Sequence, residues 1–467
     1  MAIPSRVQQV LEDWNVQYTL ANKAPLYVSS AVFTMQGMTE NAAQICVLAD
    51  EIGKVQVIFP ATSLLDLNAL YTATARQLSP ISPEEITRLK ERLQVAELPA
   101  LPQVTGLDTY VDEALLGQSE ISVHLGNSEW LQVPQNDFQT LVSSSRIGRY
   151  TAAIPHSSMP GNQWAQTDLV QINRAVKNFT ERRIRQRLEE TLDMPPLPET
   201  AQQIISLRMD PDAETDQLAK IVERDPGLAA QVISWANSPY YGMSGNIASV
   251  KDAVVRVLGF DLVINLALGL ALGRTLEVPK QGPTGYTPFW TNSVYTAALM
   301  SELVRAMPVK ARPSQGIAYL SGLLNNFGYL ILAHVFPPHF KLVNRHVDAN
   351  PHINRYFIEQ HLLGITREQI NSCLLKQWGL PEEVCTAIRY QNEPRYDGEH
   401  HQLARMLFIV QRMLRNKGIG GGPETEIPLE VMASIQMDET KAMAGLERVI
   451  EAEEALQAMA RQLSQPG

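Results

Sequence analysis

A chain of 467 residues with 45% hydrophobic, 19% charged and 7% aromatic residues has the composition of folded globular domains, excludes a wholly disordered chain, and is long enough for two or three domains. Three cysteines, Cys46, Cys373 and Cys385, form no CxxC pair, and their odd number argues against a disulfide framework. The net charge of −10 is uneven: residues 1–145 hold seven Lys/Arg against sixteen Asp/Glu, a balance of −9, which disfavours phosphate binding through a general basic surface in that part.

The N-terminal "MAIPSRVQQVLEDW" lacks the basic-then-apolar blocks of a secretory signal. Ser5 and Gln8 fit a capping box, and Val7, Val10, Leu11 and Trp14 share one helical face. A cytoplasmic protein is expected. "ICVLAD" and "KVQVIF" read as strands joined by "DEIG", and "SLLDLNALYTATARQL" has helical spacing. Ser82, Pro83 and Glu85 open a capped helix in "SPEEITRLKERL", and "ISVHLG" and "WLQVP" are a further strand pair. These elements predict an α+β domain ending near Val142, over residues 1–145.

The Ser-, Pro- and Gly-rich segment from Ser143 to Gln166 predicts a linker, which together with the following helix takes residues 146–190. That helix carries a rough apolar stripe, Leu169, Ile172, Val176, Phe179, Ile184 and Leu188. Its basic residues Arg174, Lys177, Arg182, Arg183, Arg185 and Arg187 are diluted by Glu181, Glu189 and Glu190, so a solvated face is expected. Beyond Pro195 the patterns are helical, and residues 191–416 read as an all-α domain; Asp225 and Pro226 supply a cap and a first-turn proline. The apolar run Leu262–Gly273 is short of the ~20 residues that cross a bilayer and contains Asn265, so it reads as a core helix, and no membrane partner is expected. Residues 417–467 comprise the loop "NKGIGGGPETEIP" and an acidic amphipathic helix.

The segments "MPPLPETAQQIISL", "IVERDPGLAAQVISWANSPYYG", "IASVKDAVVRVLGFDLVINLALG", "FWTNSVYTAALMSELV", "GLLNNFGYLILAHVFP" and "LLKQWGLPEEVCTAIRYQNEP" resemble the HD-related output domain, HDOD, of bacterial signalling proteins. Members of the wider HD phosphohydrolase superfamily hold one or two metal ions with histidines and an aspartate. The resemblance places Asn292 at the first histidine, Asn325 and Asn326 at the His-Asp pair, and Arg367, Gln391 and Asn392 at later histidine positions. Amides are weak, neutral ligands for transition metals, and no carboxylate remains there to balance a cation. The expectation is a retained scaffold without a metal, without a cofactor and without phosphohydrolase activity. His334, His339, His346, His352, His400 and His401 show no metal-binding spacing; His346 and His352 read as loop residues, and His400 and His401 as a helix start.

The elements of residues 4–142 resemble the YbaK and prolyl-tRNA synthetase editing-domain family, whose members hydrolyse misacylated aminoacyl-tRNA. That resemblance places Gln44 of "QICVLAD" where the family has a lysine that meets the tRNA end, and "QVAELPALPQVTGL" offers only Gly106 where a glycine-rich loop belongs. A Lys favours phosphate and a Gly a close backbone approach, so a binding descendant of this fold is expected over a working deacylase. The whole reads as a bacterial regulatory protein that binds a protein partner or small signalling ligand. The rival is a tRNA deacylase regulated by the helical domain, with tRNA as the N-terminal domain's partner. No GxSxG, P-loop or GxGxxG is present, and "GIGGG" reads as a flexible loop.

Overall fold

The computed structural model describes residues 3–21, 41–126, 129–154, 164–184, 197–241, 247–423 and 425–464, with the backbone alone for 178–184. They form two compact units, one α+β and one all-α: residues 1–156 with 282–285 and 341–362, and the remainder. A division by sequence at residue 145 does not anticipate that two short stretches from the helical part of the chain join the first unit.

The first unit holds β1 (Thr19–Ala21), β2 (Ala42–Ala49), β3 (Lys54–Pro60), β4 (Ser63–Leu65), β5 (Ser79–Pro80), β6 (Asp108–Asp112), β7 (Glu120–Gly126), β8 (Glu129–Pro134), β9 (Arg146–Gly148) and β10 (Thr151–Ala153). Eight form a mixed sheet in the order β1-β8-β7-β2-β3-β6-β9, with β5 beside β2; β4 and β10 make a separate ribbon. The pairs β2–β7, β3–β6 and β6–β9 are parallel. Side chains alternate across the pleat, so each strand serves two layers. Ile45, Ile58, Val111 and Val123 pack beneath the helices Ser5–Asp13 and Gln135–Leu141. Cys46, Leu48, Val57, Phe59 and Tyr110 form the opposite layer, completed by Ala349 of the 341–362 stretch.

Local signals hold at several ends. Asp50 Oδ1 accepts from the amides of Ile52 and Gly53 to close the turn between β2 and β3, and Ser82 with Glu85 forms the expected capping box. Others fail for identifiable reasons. The first helix is entered through Pro4 without a side-chain cap, so the Ser5–Gln8 box does not form, and Trp14 lies past the helix end, 38% exposed. The region expected to be linker contributes β9 and β10, three-residue strands too short to show a period. Residues 155–163 of that stretch lie outside the described set.

The second unit is helical. The helix Phe260–Gly273 is buried almost throughout from Leu262, as an all-round apolar helix must be. It packs on the helix Gln315–Leu324, which in turn packs directly against the helix Phe289–Arg305. Gly322 permits the close approach of the latter two: a Cβ there would lie 2.6 Å from Cα of Ala297. The stretch Gln315–Val335 is long and apolar enough to cross a membrane, but 83% of its most apolar window is buried in the protein, and it breaks at Asn325–Asn326.

Of the expected stripe on the helix Trp164–Ile184, Ile172 and Val176 are half-buried, and Phe179, Ile184 and Leu188 lie outside the described side chains. Leu169 is 53% exposed, whereas Trp164, Asp168 and Ala175 are buried. Asp168 is wholly buried because Arg389 grips its carboxylate, while Arg389 Nη1 also meets Glu393 Oε1 at 3.1 Å. Gln369 Nε2 donates to Asp168 Oδ1 at 2.7 Å, and Trp164 meets the Tyr390 ring edge-on. Arg174 and Lys177 are exposed, as a solvated face requires; the later basic residues lie outside the described side chains.

Candidate functional site

The helix Gln315–Leu324 ends where Asn325 and Asn326 interrupt it, and a new helix starts at Phe327. Asn325 is 5% exposed, and its Nδ2 turns back to donate to the Gly322 carbonyl at 2.5 Å. The break frees the Asn325 carbonyl, which accepts from Gln391 Nε2 at 3.0 Å, while Asn371 Nδ2 donates to the Leu324 carbonyl at 2.9 Å. Gly328, one residue into the new helix, allows it to seat on the first residue of the helix Arg367–Gln377: a Cβ would fall 2.2 Å from the Arg367 carbonyl oxygen.

From Gln391, 2% exposed, the hydrogen bonds continue. Gln411 donates to Gln391 Oε1, and Arg415 Nη2 donates to Gln411 Oε1 at 3.0 Å. Gly420, with φ +115°, brings the late loop against this chain, since a Cβ on it would stand 3.4 Å from Arg415 Cγ and 3.5 Å from Asn292 Oδ1. That loop is held: Thr287 N–H donates to the Gly420 carbonyl, and Gly420 N–H donates to Thr287 Oγ1, both at 2.8 Å. A second branch centres on Glu368, 1% exposed, whose Oε1 accepts from Asn392 Nδ2 at 3.0 Å and Arg367 Nε at 3.2 Å. Asn326 is half-buried and makes no side-chain cap.

Of the aligned positions, Asn325 and Gln391 thus join one chain of hydrogen bonds, Asn292 stands beside its far end, and Arg367 and Asn392 share Glu368. Sequence reasoning missed Glu368, Gln411 and Arg415. Burial lowers Arg415 to about 10, nearby Tyr286 opposes the shift and nearby Arg367 adds to it, so Arg415 stays cationic at neutral pH. A divalent ion does not fit this donor set. Its one carboxylate is engaged by Arg367, two guanidinium groups belong to the same cluster, and among the described residues no three His, Cys, Asp or Glu side chains converge.

In the sheet unit, Gln44 on β2 lies opposite Phe59 on β3, and directly paired residues share a face. The Phe59 ring is 5.6 Å from that of His352, whose Nε2 donates to the Ser63 carbonyl at 3.3 Å. Burial lowers His352 to about 4. Asn350 Oδ1 accepts from Leu65 N–H at 2.7 Å and its Nδ2 donates to the Leu65 carbonyl at 3.0 Å, copying a strand's pairing. His346, expected in a loop, is fully buried on the helix Pro337–Ala349, with Nδ1 donating to the Leu342 carbonyl. Asp66 accepts from His361 Nε2 at 3.1 Å; burial would raise this carboxyl, but the histidines and the amides of Asn68 and Ala69 hold it well below the carboxylate range. The layer containing the Gln44 position is therefore covered by residues 341–362. Cys46, in the same layer, is pushed up to about 12 by burial, which makes it an inert thiol.

Residues 194–394 match the HDOD domain family. A crystal structure of a candidate signal transduction protein from Marinobacter aquaeolei VT8 is 38% identical, with 99% of this chain and all of that one covered, at a TM-score of 0.86. The chain belongs to the HDOD family. An HDOD domain protein from Geobacter sulfurreducens shares the fold, with 20% identity, 63% of this chain and 98% of that one covered, at a TM-score of 0.50. An uncharacterised protein of Treponema pallidum (strain Nichols) is 23% identical over 242 residues, 52% of this chain, and the match spans 46% of that protein.

Proposed function

We propose that this HDOD protein is a regulatory protein of the bacterial cytoplasm that acts by binding a protein partner or small signalling ligand, not by hydrolysis. The observation that carries this reading is the chain from Asn325 through Gln391 and Gln411 to Arg415, in which polar groups satisfy one another where the resemblance calls for metal ligands. A metal-activated water needs a bound cation, and this cluster contributes positive charge instead. The Marinobacter relative's description as a candidate signal transduction protein supports the same role.

Metal analysis of the protein, after incubation with Mn²⁺, Fe²⁺ or Zn²⁺ and gel filtration, tests the reading. Far less than one equivalent should remain, with no phosphodiester turnover above blank; stoichiometric retention together with turnover overturns it. The deacylase alternative is disfavoured because Gln44 replaces the expected lysine and its sheet face is covered by the His352–Phe59 contact. Turnover of mischarged tRNA by the full chain would reinstate that alternative.

A further inference from the structure

We propose that a cavity walled by the helix Phe289–Arg305 and the C-terminal residues 417–461 binds a phosphorylated, hydroxyl-bearing small molecule. This site adjoins the far end of the amide cluster at Thr287 but is lined by none of that cluster's amide or guanidinium side chains, and much of its wall lies beyond the region that matches the HDOD family. The proposal therefore does not depend on how the amide cluster is used.

The cavity has a volume of about 540 Å³, inside the range of roughly 300–1,000 Å³ usual for small-molecule sites. Three features give it a polarity. First, Pro288 and Thr291 at the start of the helix Phe289–Arg305 line it, and Pro288 supplies no side-chain cap. The first amide of this helix to be bonded within it is that of Asn292, to the Pro288 carbonyl at 2.9 Å, so the amides before it remain available to an anion.

Second, Tyr295 lies about one turn further along the same face and is 2% exposed, yet among the described residues its hydroxyl has no hydrogen-bond partner. The ring is buried while the hydroxyl lines the cavity, where a ligand oxygen would meet it. Third, Arg461 on the helix Glu453–Ser464 is exposed at the rim without a salt bridge among the described residues. Lys417 across the opening is held at 2.9 Å by Glu447.

These features select a ligand by exclusion. A divalent cation would meet Arg461 and Lys417, with Glu453 as the one carboxylate in the lining. An apolar molecule would leave Tyr295 unsatisfied. Inorganic phosphate would suit Arg461 and the helix start but leave most of the volume unfilled. A phosphate joined to a hydroxyl-bearing body uses the whole wall: the phosphate at the helix start and Arg461, hydroxyls toward Glu453 and Gln457, and an apolar edge against Ile419 and Ile450.

Sugar phosphates and nucleotides share this chemistry, and calorimetric titration of the full chain at low salt with inorganic phosphate, ribose 5-phosphate and AMP separates them. Ribose 5-phosphate and AMP should bind about tenfold or more tightly than inorganic phosphate. AMP binding more tightly than ribose 5-phosphate identifies a nucleotide site, and equal affinity a sugar-phosphate site. Arg461→Ala should weaken the better ligand about tenfold, and Tyr295→Phe about three- to tenfold, with unchanged thermal unfolding. No binding by any of the three, affinity no better than that of inorganic phosphate, or binding indifferent to Arg461→Ala overturns the proposal.

Discussion

Asn350 in the sheet unit and Asn325 in the helical unit are both buried asparagines, at 0% and 5% exposure, and they solve different problems. Asn350 pairs with both backbone groups of Leu65 while its Nδ2 also donates to the His346 carbonyl one turn back at 2.9 Å, tying residues 341–362 to β4, distant in sequence. Asn325 folds its amide back onto Gly322 of its own helix and leaves its backbone carbonyl for Gln391. In one unit a buried polar side chain recruits a remote segment; in the other it terminates a helix and seeds a network. Residue type and burial alone do not distinguish the two uses, because the difference lies in what the freed backbone groups can reach.

The contrast can be broken most forcefully at the buried ion pairs of the helical unit. Arg389→Ala leaves the carboxylates of Asp168 and Glu393 buried without their cation, and should cost about 3–5 kcal/mol in urea unfolding. A loss below about 1 kcal/mol would show that bracing by Arg389 contributes little. In the sheet unit, Asn350→Ala strands the Leu65 N–H and C=O and should cost about 2–4 kcal/mol. Limited proteolysis should then cut within 341–362 before the central strands, whereas unchanged protection would mean that apolar contacts suffice to hold the segment.

His352 sharpens the comparison through pH. Its folded value of about 4 lies below the ordinary 6.5, so the unfolded chain takes up the proton first. Its contribution is complete above about pH 6.5 and falls as pH drops toward about 4, by roughly 2–3 kcal/mol in all. His352→Gln should flatten that slope in unfolding curves recorded between pH 4 and 7. The smallest effect is expected at Gln391→Met, which removes the hydrogen bond to the Asn325 carbonyl and the acceptor for Gln411, at about 1–2 kcal/mol by thermal unfolding.

Much of the architecture was legible in the chain. Alternating runs became β2, β3, β7 and β8, and Asp225 caps the helix Pro226–Ala236 through the Leu228 amide. The site was legible only in part. The aligned amides could be named one by one, but Glu368 and Arg415, which set the local charge, sit at ordinary helical positions with no motif to mark them. Asp168 was missed for a related reason: on a helix face an aspartate reads as solvated, and its partner Arg389 lies 221 positions away.

The sequence by itself determined the class of each unit and the caps at Ser82 and Asp225, because these follow from local periodicity and side-chain chemistry. Only the tertiary structure decided that residues 341–362 complete the sheet unit, that Asn325 turns inward while its carbonyl meets Gln391, and that Tyr295 and Arg461 face one cavity. Those outcomes depend on which distant backbone and polar groups come within reach of one another, and burial then enforces their pairing.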